Sequence, residues 1–176
     1  MEIERKWLVE TLPQHIRDGM ESGGYMHRQI VQGYLCTDPV LRVRQDGNSY
    51  YLTYKGKGRL AREEHELPLN EQACASLLKK CDGIILKKER YVIPLEDEPE
   101  PACGGKDPGV RELEIELDIF RDDYDGLIYA EVEFCSEEEA KAFEAPSWFG
   151  REVTYEKGYS NAALSRKHPG NRDLMN

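Results

Sequence analysis

Between Glu112 and Ile119 acids and aliphatics alternate without a break: Glu112, Glu114, Glu116 and Asp118 have one parity, and Leu113, Ile115, Leu117 and Ile119 the other. Successive side chains of a strand point to opposite faces, so this run can bury one side only, and its other side carries nothing but carboxylates. The same device recurs in shorter form. Glu2/Glu4, Arg42/Arg44, Lys55/Lys57, Glu64/Glu66, Lys88/Arg90, Glu116/Asp118 and Glu131/Glu133 are all like-charged pairs at spacing two. Two such charges on one strand lie about 7 Å apart and repel by roughly 0.6 kcal/mol in water, or about 2 kcal/mol at an effective dielectric of 20. A solvated face tolerates this. Inside a closed barrel the seven pairs would rival a typical stability of about 5 to 15 kcal/mol unless opposite charges, metal ions or an anionic ligand compensated them. Ordinary exposed strands mix Lys, Glu, Thr and Ser, whereas here each of these pairs carries one sign. Eight strands closed on themselves would give a charged lumen and an apolar exterior for helices to cover; an open sheet satisfies the same parity.

The other elements follow from local signals. Leu12, Ile16 and Met20 recur at helical spacing behind Pro13, which suits a first-turn position. Strands are expected over 26–36, 40–45 and 49–55, the last two joined at Asp46-Gly47-Asn48, then over 60–67, 84–95, 112–119 and 127–135. With the amino-terminal run these make about eight strands, mostly antiparallel. Asn70 caps a helix carrying Cys74, Leu77, Leu78 and Cys81, with Gly83 as its expected end. Ser136 and Glu139 form a capping-box signature ahead of Ala140 and Phe143. Residues 96–109, rich in proline, glycine and acid, read as an exposed insertion, and the chain after Ser165 as a tail. The expected organisation is one domain over 1–165, with 166–176 outside it.

The 176 residues are 39% hydrophobic, enough for a globular core. No apolar run approaches the roughly 20 residues that cross a bilayer, and the amino terminus lacks a secretory pattern, so a soluble cytoplasmic protein without a membrane partner is expected. The five cysteines are odd in number and scattered without a CxxC pair, which suits reduced thiols. A formal charge of −10 argues against a nucleic-acid surface but leaves room for a local basic pocket that takes a compact anion. Oligomeric state is not legible.

In the opening Glu2-Ile3-Glu4-Arg5-Lys6, parity puts Glu2, Glu4 and Lys6 in one row. On a solvated face such a row needs no further account; in an enclosed site it offers hard oxygen ligands for Mg²⁺ or Mn²⁺. Trp148 and Phe149 read as core aromatics. His65 points away from Glu64 and Glu66, and no histidine has a nucleophile beside it. Gly56 and Gly58 beside Lys55 and Lys57 lack Walker spacing and read as turn glycines.

These residues resemble the triphosphate tunnel metalloenzymes, or CYTH group. Glu2-Ile3-Glu4-Arg5-Lys6 is similar to the family's ExExK signature. The resemblance continues through Leu41-Arg42-Val43-Arg44, Tyr54-Lys55-Gly56, Glu64-His65-Glu66, Lys88-Glu89-Arg90-Tyr91, Ala130-Glu131-Val132-Glu133-Phe134 and Gly150-Arg151-Glu152-Val153-Thr154. It implies an α+β fold built on an eight-stranded, antiparallel, closed β-barrel, a tunnel with a charged lumen and flanking helices. By the same resemblance Glu2, Glu4, Glu131 and Glu133, with Glu116 and Asp118, are metal ligands for Mg²⁺ or Mn²⁺. Lys6, Arg42, Arg44, Lys55, Lys88 and Arg90 form a triphosphate clamp, and Lys157, near Tyr159, is a basic residue at the tunnel mouth. Lys6, Glu64 and Glu66 take the catalytic roles; Glu64 and Glu66, like Glu116 and Asp118, bind a second ion, position water or hold the basic side chains in place.

The activity so implied is metal-dependent hydrolysis of a triphosphate that releases phosphate, with inorganic tripolyphosphate as the foremost substrate. Thiamine triphosphatases of the family place a tryptophan two residues before the first tunnel arginine, and here that place is Val40. Class IV-type adenylate cyclase and thiamine triphosphatase are the alternative activities. A polyphosphate-binding module without turnover is the alternative of another class, because one clamp serves binding and catalysis alike.

Overall fold

The structure is a computed structural model that describes residues 3–56, 64–95 and 113–166. Glu2, Lys57, the first part of the strand expected over 60–67, Glu112, the expected insertion at 96–109 and all but the first residue of the expected tail lie outside the described residues. Among the described residues eight strands form one antiparallel sheet: β1 Ile3–Leu8, β2 Met26–Thr37, β3 Val40–Asp46, β4 Ser49–Lys55, β5 Glu64–Pro68, β6 Asp82–Pro94, β7 Glu114–Arg121 and β8 Ile128–Phe134, in the order β1-β8-β7-β6-β2-β3-β4-β5. The helices are α1 Gln14–Glu21, α2 Glu71–Leu78, α3 Glu137–Ala142 and α4 Asn161–Ser165, with 3-10 turns at Asp122–Tyr124 and Lys157–Tyr159. No helix among the described residues is long and apolar enough to cross a membrane.

The expected closed barrel is not formed. β1 and β5 are the two ends of the sheet and do not pair. The reason lies at β1, whose outer edge is already occupied. Leu8 N donates to Arg151 O at 2.9 Å, Gly150 N to Leu8 O at 2.9 Å and Val153 N to Lys6 O at 2.8 Å, while Lys6 N donates to Thr154 Oγ1 at 3.0 Å. The 150–154 segment thus takes the hydrogen bonds a closing strand would need. Its approach requires Gly150, since a Cβ there would sit 2.6 Å from Leu8 O. Arg5 anchors the same segment from the outer face: its guanidinium donates to both Glu152 carboxylate oxygens, at 3.0 and 2.7 Å, and to Ala140 O and Phe143 O at the end of α3, at 2.7 and 3.0 Å. β5, for its part, is short, exposed throughout and ends at Pro68, and closure would bring its acids against Glu4.

The aliphatic face of β1, β8, β7 and β6 packs with Ile16 of α1 and with Ala140 of α3 and Phe143 beyond it, in a cluster that includes Trp7, Ile93, Ile115, Leu117 and Val132. Phe149 belongs to this core, its ring 5.0 Å from that of Trp7. A second cluster on the charged side joins Leu164 of α4 to Tyr34, Leu86, Phe120, Leu127 and Tyr129. Gly83 does not end the second helix. α2 stops at Leu78, and Gly83 lies inside β6 with φ of +76°, which glycine alone adopts freely. Pro13 stands at the N-cap of α1 rather than inside its first turn. Asn70 Oδ1 accepts from Ala73 N at 2.8 Å as its N-cap chemistry predicts. Ser136 Oγ accepts from Glu139 N at 3.1 Å, but Glu139 returns to Cys135 N, one residue before the cap. Cys36, Cys74, Cys81 and Cys135 are free thiols.

Candidate active site

The sheet curls far enough for Glu4 of β1 and Glu64 and Glu66 of β5 to line one cavity of about 810 Å³. Register decides who stands beside whom. Glu4 pairs with Glu133 and Lys6 with Glu131 across β1 and β8; Glu131 pairs with Glu116; Asp118 pairs with Arg90. On the far side Arg42 pairs with Thr53, and Thr53 and Lys55 pair with Glu66 and Glu64. Paired residues share a face, so the one-signed pairs assemble into walls of opposite sign. Glu4, Glu133, Glu131 and Glu116 make the acidic wall with Lys6 among them, and Arg90, Arg42, Arg44 and Lys55 make the basic one.

Arg90 joins the two walls. Its guanidinium donates to both oxygens of Asp118 at 2.6 and 2.7 Å, to Glu131 Oε2 at 2.9 Å and to Glu116 Oε2. Lys6 Nζ stands 2.8 Å from Glu131 Oε1 and 3.7 Å from Glu4 Oε1. Burial alone would neutralise such groups. It pushes the Glu131 carboxyl up, yet Lys6, Lys88 and Arg90 outweigh it and hold that group far below the usual carboxylate range. Burial likewise opposes the Lys6 charge, but Glu131 and Glu4 raise its pKa above the ordinary lysine value. Asp118 is also depressed, because Arg90 and Lys88 overcome its burial. Glu116 is raised, burial outweighing Arg90.

The basic wall is less evenly matched. Lys55 Nζ is 2.9 Å from Glu64. Arg42 donates to Thr53 Oγ1 at 3.1 Å, lies 3.6 Å from Glu66, and keeps its Nε buried without a partner. Among the described residues Arg44 donates only to Gln32 Oε1, at 3.0 Å. Burial, then the neighbouring Arg42 and Arg90, lower the Arg44 pKa to about 10. A guanidinium in that position is an anion site in waiting, for phosphate oxygens would supply the missing negative charge.

Of the residues expected from sequence, Lys6, Arg42, Arg44, Lys55, Arg90, Glu4, Glu64, Glu66, Glu116, Glu131 and Glu133 come together around this cavity. Lys88 and Asp118 lie beneath its floor as an ion pair whose side chains have no exposed surface; burial lowers Lys88 to about 8. Lys157 is exposed on its 3-10 turn and is not part of the lining. Glu2 is outside the described residues. Tyr34, Thr37, Ser160, Asn161, Ala162 and Arg166 also line the cavity and were not anticipated. For the last four the only local signal is Ser160, whose Oγ caps α4 by accepting from Ala163 N at 3.1 Å.

The acids that face the cavity are hard oxygen donors without a thiol or imidazole among them, which fits Mg²⁺ or Mn²⁺ rather than a softer ion. Among the described residues no group of three is already gathered at ligand spacing. Glu131 and Glu116 are instead engaged by Lys6 and Arg90.

Residues 1–167 match the CYTH domain. The chain is 38% identical over 172 residues to the inorganic triphosphatase of Nitrosomonas europaea, covering 96% of this chain and 99% of the relative. It is 32% identical over 171 residues to the inorganic triphosphatase of Acetivibrio thermocellus, covering 93% and 92%. A crystal structure of an inorganic triphosphatase aligns with a TM-score of 0.66 at 36% identity, covering 97% of each chain. A domain match over nearly the full length, joined to the walls of opposite sign built by its motifs, places this chain in the CYTH family, the triphosphate tunnel metalloenzymes.

Proposed function

We propose that the protein is a divalent-metal-dependent triphosphatase that hydrolyses inorganic tripolyphosphate and releases phosphate. The observation that carries this reading is Arg44, a cation in the cavity wall with no carboxylate within 4.0 Å among the described residues, beside Arg42 with an unpartnered Nε. Arg42, Arg44 and Lys55 bind the phosphate chain, the guanidinium forks taking oxygens in pairs and the ammonium acting as a point charge. Lys6 adds positive charge from within the acidic wall, and Arg90 from the junction of the two walls. Glu64 and Glu66 hold Lys55 and Arg42 in place. Val40 lines the cavity where a stacking ring would serve a vitamin head, and its small aliphatic side chain favours a substrate with no organic group.

Glu4 and Glu133, with Glu131 and Glu116, are the residues that would hold Mg²⁺ or Mn²⁺; Asp118, expected among them, is not part of the lining and is held by Lys88 and Arg90, and Glu2 lies outside the described residues. When bound, the ion neutralises phosphate charge and acidifies water. The chain's own contribution is to fix the phosphates and to stabilise negative charge on the departing group through Arg42, Arg44 and Lys55, with no covalent intermediate.

The test is incubation of the purified protein with tripolyphosphate, thiamine triphosphate and ATP in Mg²⁺ or Mn²⁺, measuring phosphate, pyrophosphate and cyclic AMP. Phosphate release with the highest kcat/KM on tripolyphosphate is expected. Pyrophosphate with cyclic AMP would establish a cyclase, and tight binding without product a binding module.

A further inference from the structure

Arg90 and Arg5 are anchored by carboxylates, the first by Asp118, Glu131 and Glu116 and the second by Glu152. Arg44 is anchored by an amide. Its Nε donates to Gln32 Oε1 at 3.0 Å, and Gln32, which has no exposed surface, pairs with it across β2 and β3. The amide nitrogen of Gln32 donates in turn to Tyr34 Oη at 3.2 Å. A guanidinium can only donate, so Oε1 has to face Arg44, and Tyr34 holds the other end of the amide and keeps it from turning over. The strand is pinned behind this pair as well: at Gly33 a Cβ would stand 2.6 Å from Ile85 Cδ1 and 2.8 Å from Cys81 Sγ.

A neutral anchor and a charged one differ in what they leave for a ligand. A carboxylate in place of the amide would keep the hydrogen bond but cancel the charge that phosphate oxygens have to meet. Capture through Nε also leaves Nη1 and Nη2, the forked end of the guanidinium, without a protein partner among the described residues, and Arg44 lines the cavity. That fork suits two oxygens of one phosphate. We propose that Gln32 is a positioning residue for the triphosphate: it holds Arg44 by Nε and, being neutral, leaves the charge and the fork of the guanidinium to the substrate. This rests on the triphosphatase reading and deepens it.

The experiment measures kcat and KM on tripolyphosphate for Gln32→Glu, Gln32→Met, Arg44→Gln and the double variant Gln32→Met with Arg44→Gln. In Gln32→Glu one carboxylate oxygen still accepts from Arg44 Nε and the Tyr34 hydroxyl turns to donate to the other, so both contacts survive and only the charge changes. KM should rise at least about tenfold with kcat nearly intact. Gln32→Met fills the same space without a polar group and frees the guanidinium to turn. Its KM should rise by up to roughly 10- to 100-fold, the loss of a hydrogen bond to a charged group. Because Gln32 acts through Arg44, Gln32→Met should raise KM no further once Arg44→Gln is present. Unchanged KM in either folded single variant overturns the proposal, and so does a Gln32→Met effect that persists in full beside Arg44→Gln; should one variant fail to fold, the other carries the test. A wild-type protein inert towards tripolyphosphate would refute the triphosphatase reading instead. The role of Gln32 is then decided by calorimetric Kd values for tripolyphosphate in wild type, Gln32→Glu and Gln32→Met.

Discussion

Gln32 Oε1 accepts a hydrogen bond from Arg44 Nε at 3.0 Å, and this neutral amide is the guanidinium's sole hydrogen-bond partner among the described residues. Burial with Arg42 and Arg90 nearby lowers the Arg44 pKa to about 10, so at neutral pH its charge opposes folding. Arg44→Gln should therefore stabilise the ligand-free protein by on the order of 1 kcal/mol. The same change should raise KM for tripolyphosphate at least about tenfold by removing a fork that meets phosphate oxygens. Thermal unfolding in phosphate-free buffer, run beside steady-state kinetics, checks both. A lower Tm with unchanged KM would make Arg44 a structural donor to Gln32.

Acid should unfold the protein through the floor of the cavity. Glu131 and Asp118 titrate below their unfolded values near 4, so the native state binds fewer protons than the unfolded one in that range. Their stabilising contribution is present above about pH 4 and is lost as pH falls through the depressed native values. Urea midpoints should drop steeply between about pH 4 and pH 2, and Glu131→Gln should flatten that limb.

Asp118→Asn should cost about 3 to 5 kcal/mol at pH 7, because it leaves Lys88 and Arg90 buried without their main counter-charge. Chemical denaturation of the purified variant measures this. A loss below about 1 kcal/mol would mean that Glu131 and Glu116 suffice to hold Arg90.

Chelation should abolish turnover, and added Mg²⁺ or Mn²⁺ should restore it. Glu4→Gln and Glu133→Gln, which alter facing residues of β1 and β8, should lower kcat at least about tenfold and raise the ion concentration needed for half activity. Full turnover in excess chelator would remove the metal from the account.

The edge of β1 makes a separate prediction about the open sheet. Arg5→Ala removes hydrogen bonds to Glu152, Ala140 and Phe143 together and should destabilise by about 2 to 3 kcal/mol. Amide exchange should then accelerate first in the 150–154 segment. Uniform exchange across the sheet would show that this segment is not an independent edge strap.

Strand number, the charged face of each strand and most of the cavity were legible in the chain itself, because a period of two is a local property that no partner can change. Glu114 to Arg121, or Arg42 with Arg44, reads the same in any sheet. Family membership was legible for the same reason, since its motifs are these pairs in order. Closure was not. Whether β1 meets β5 depends on what else reaches the edge of β1, and Gly150 to Thr154 arrive there from more than 140 positions away in the chain. The end of the cavity was equally hidden: nothing near Asn161 or Arg166 alternates or repeats, and they face the site because Leu164 finds an apolar pocket and Gly83 leaves room for the backbone of Ser165. The division of labour among the charges was also set by tertiary structure. Lys88 and Arg90 share one strand face, yet register buries Lys88 against Asp118 while Arg90 reaches the cavity, and desolvation acts on where a side chain ends up, not on its place in the sequence.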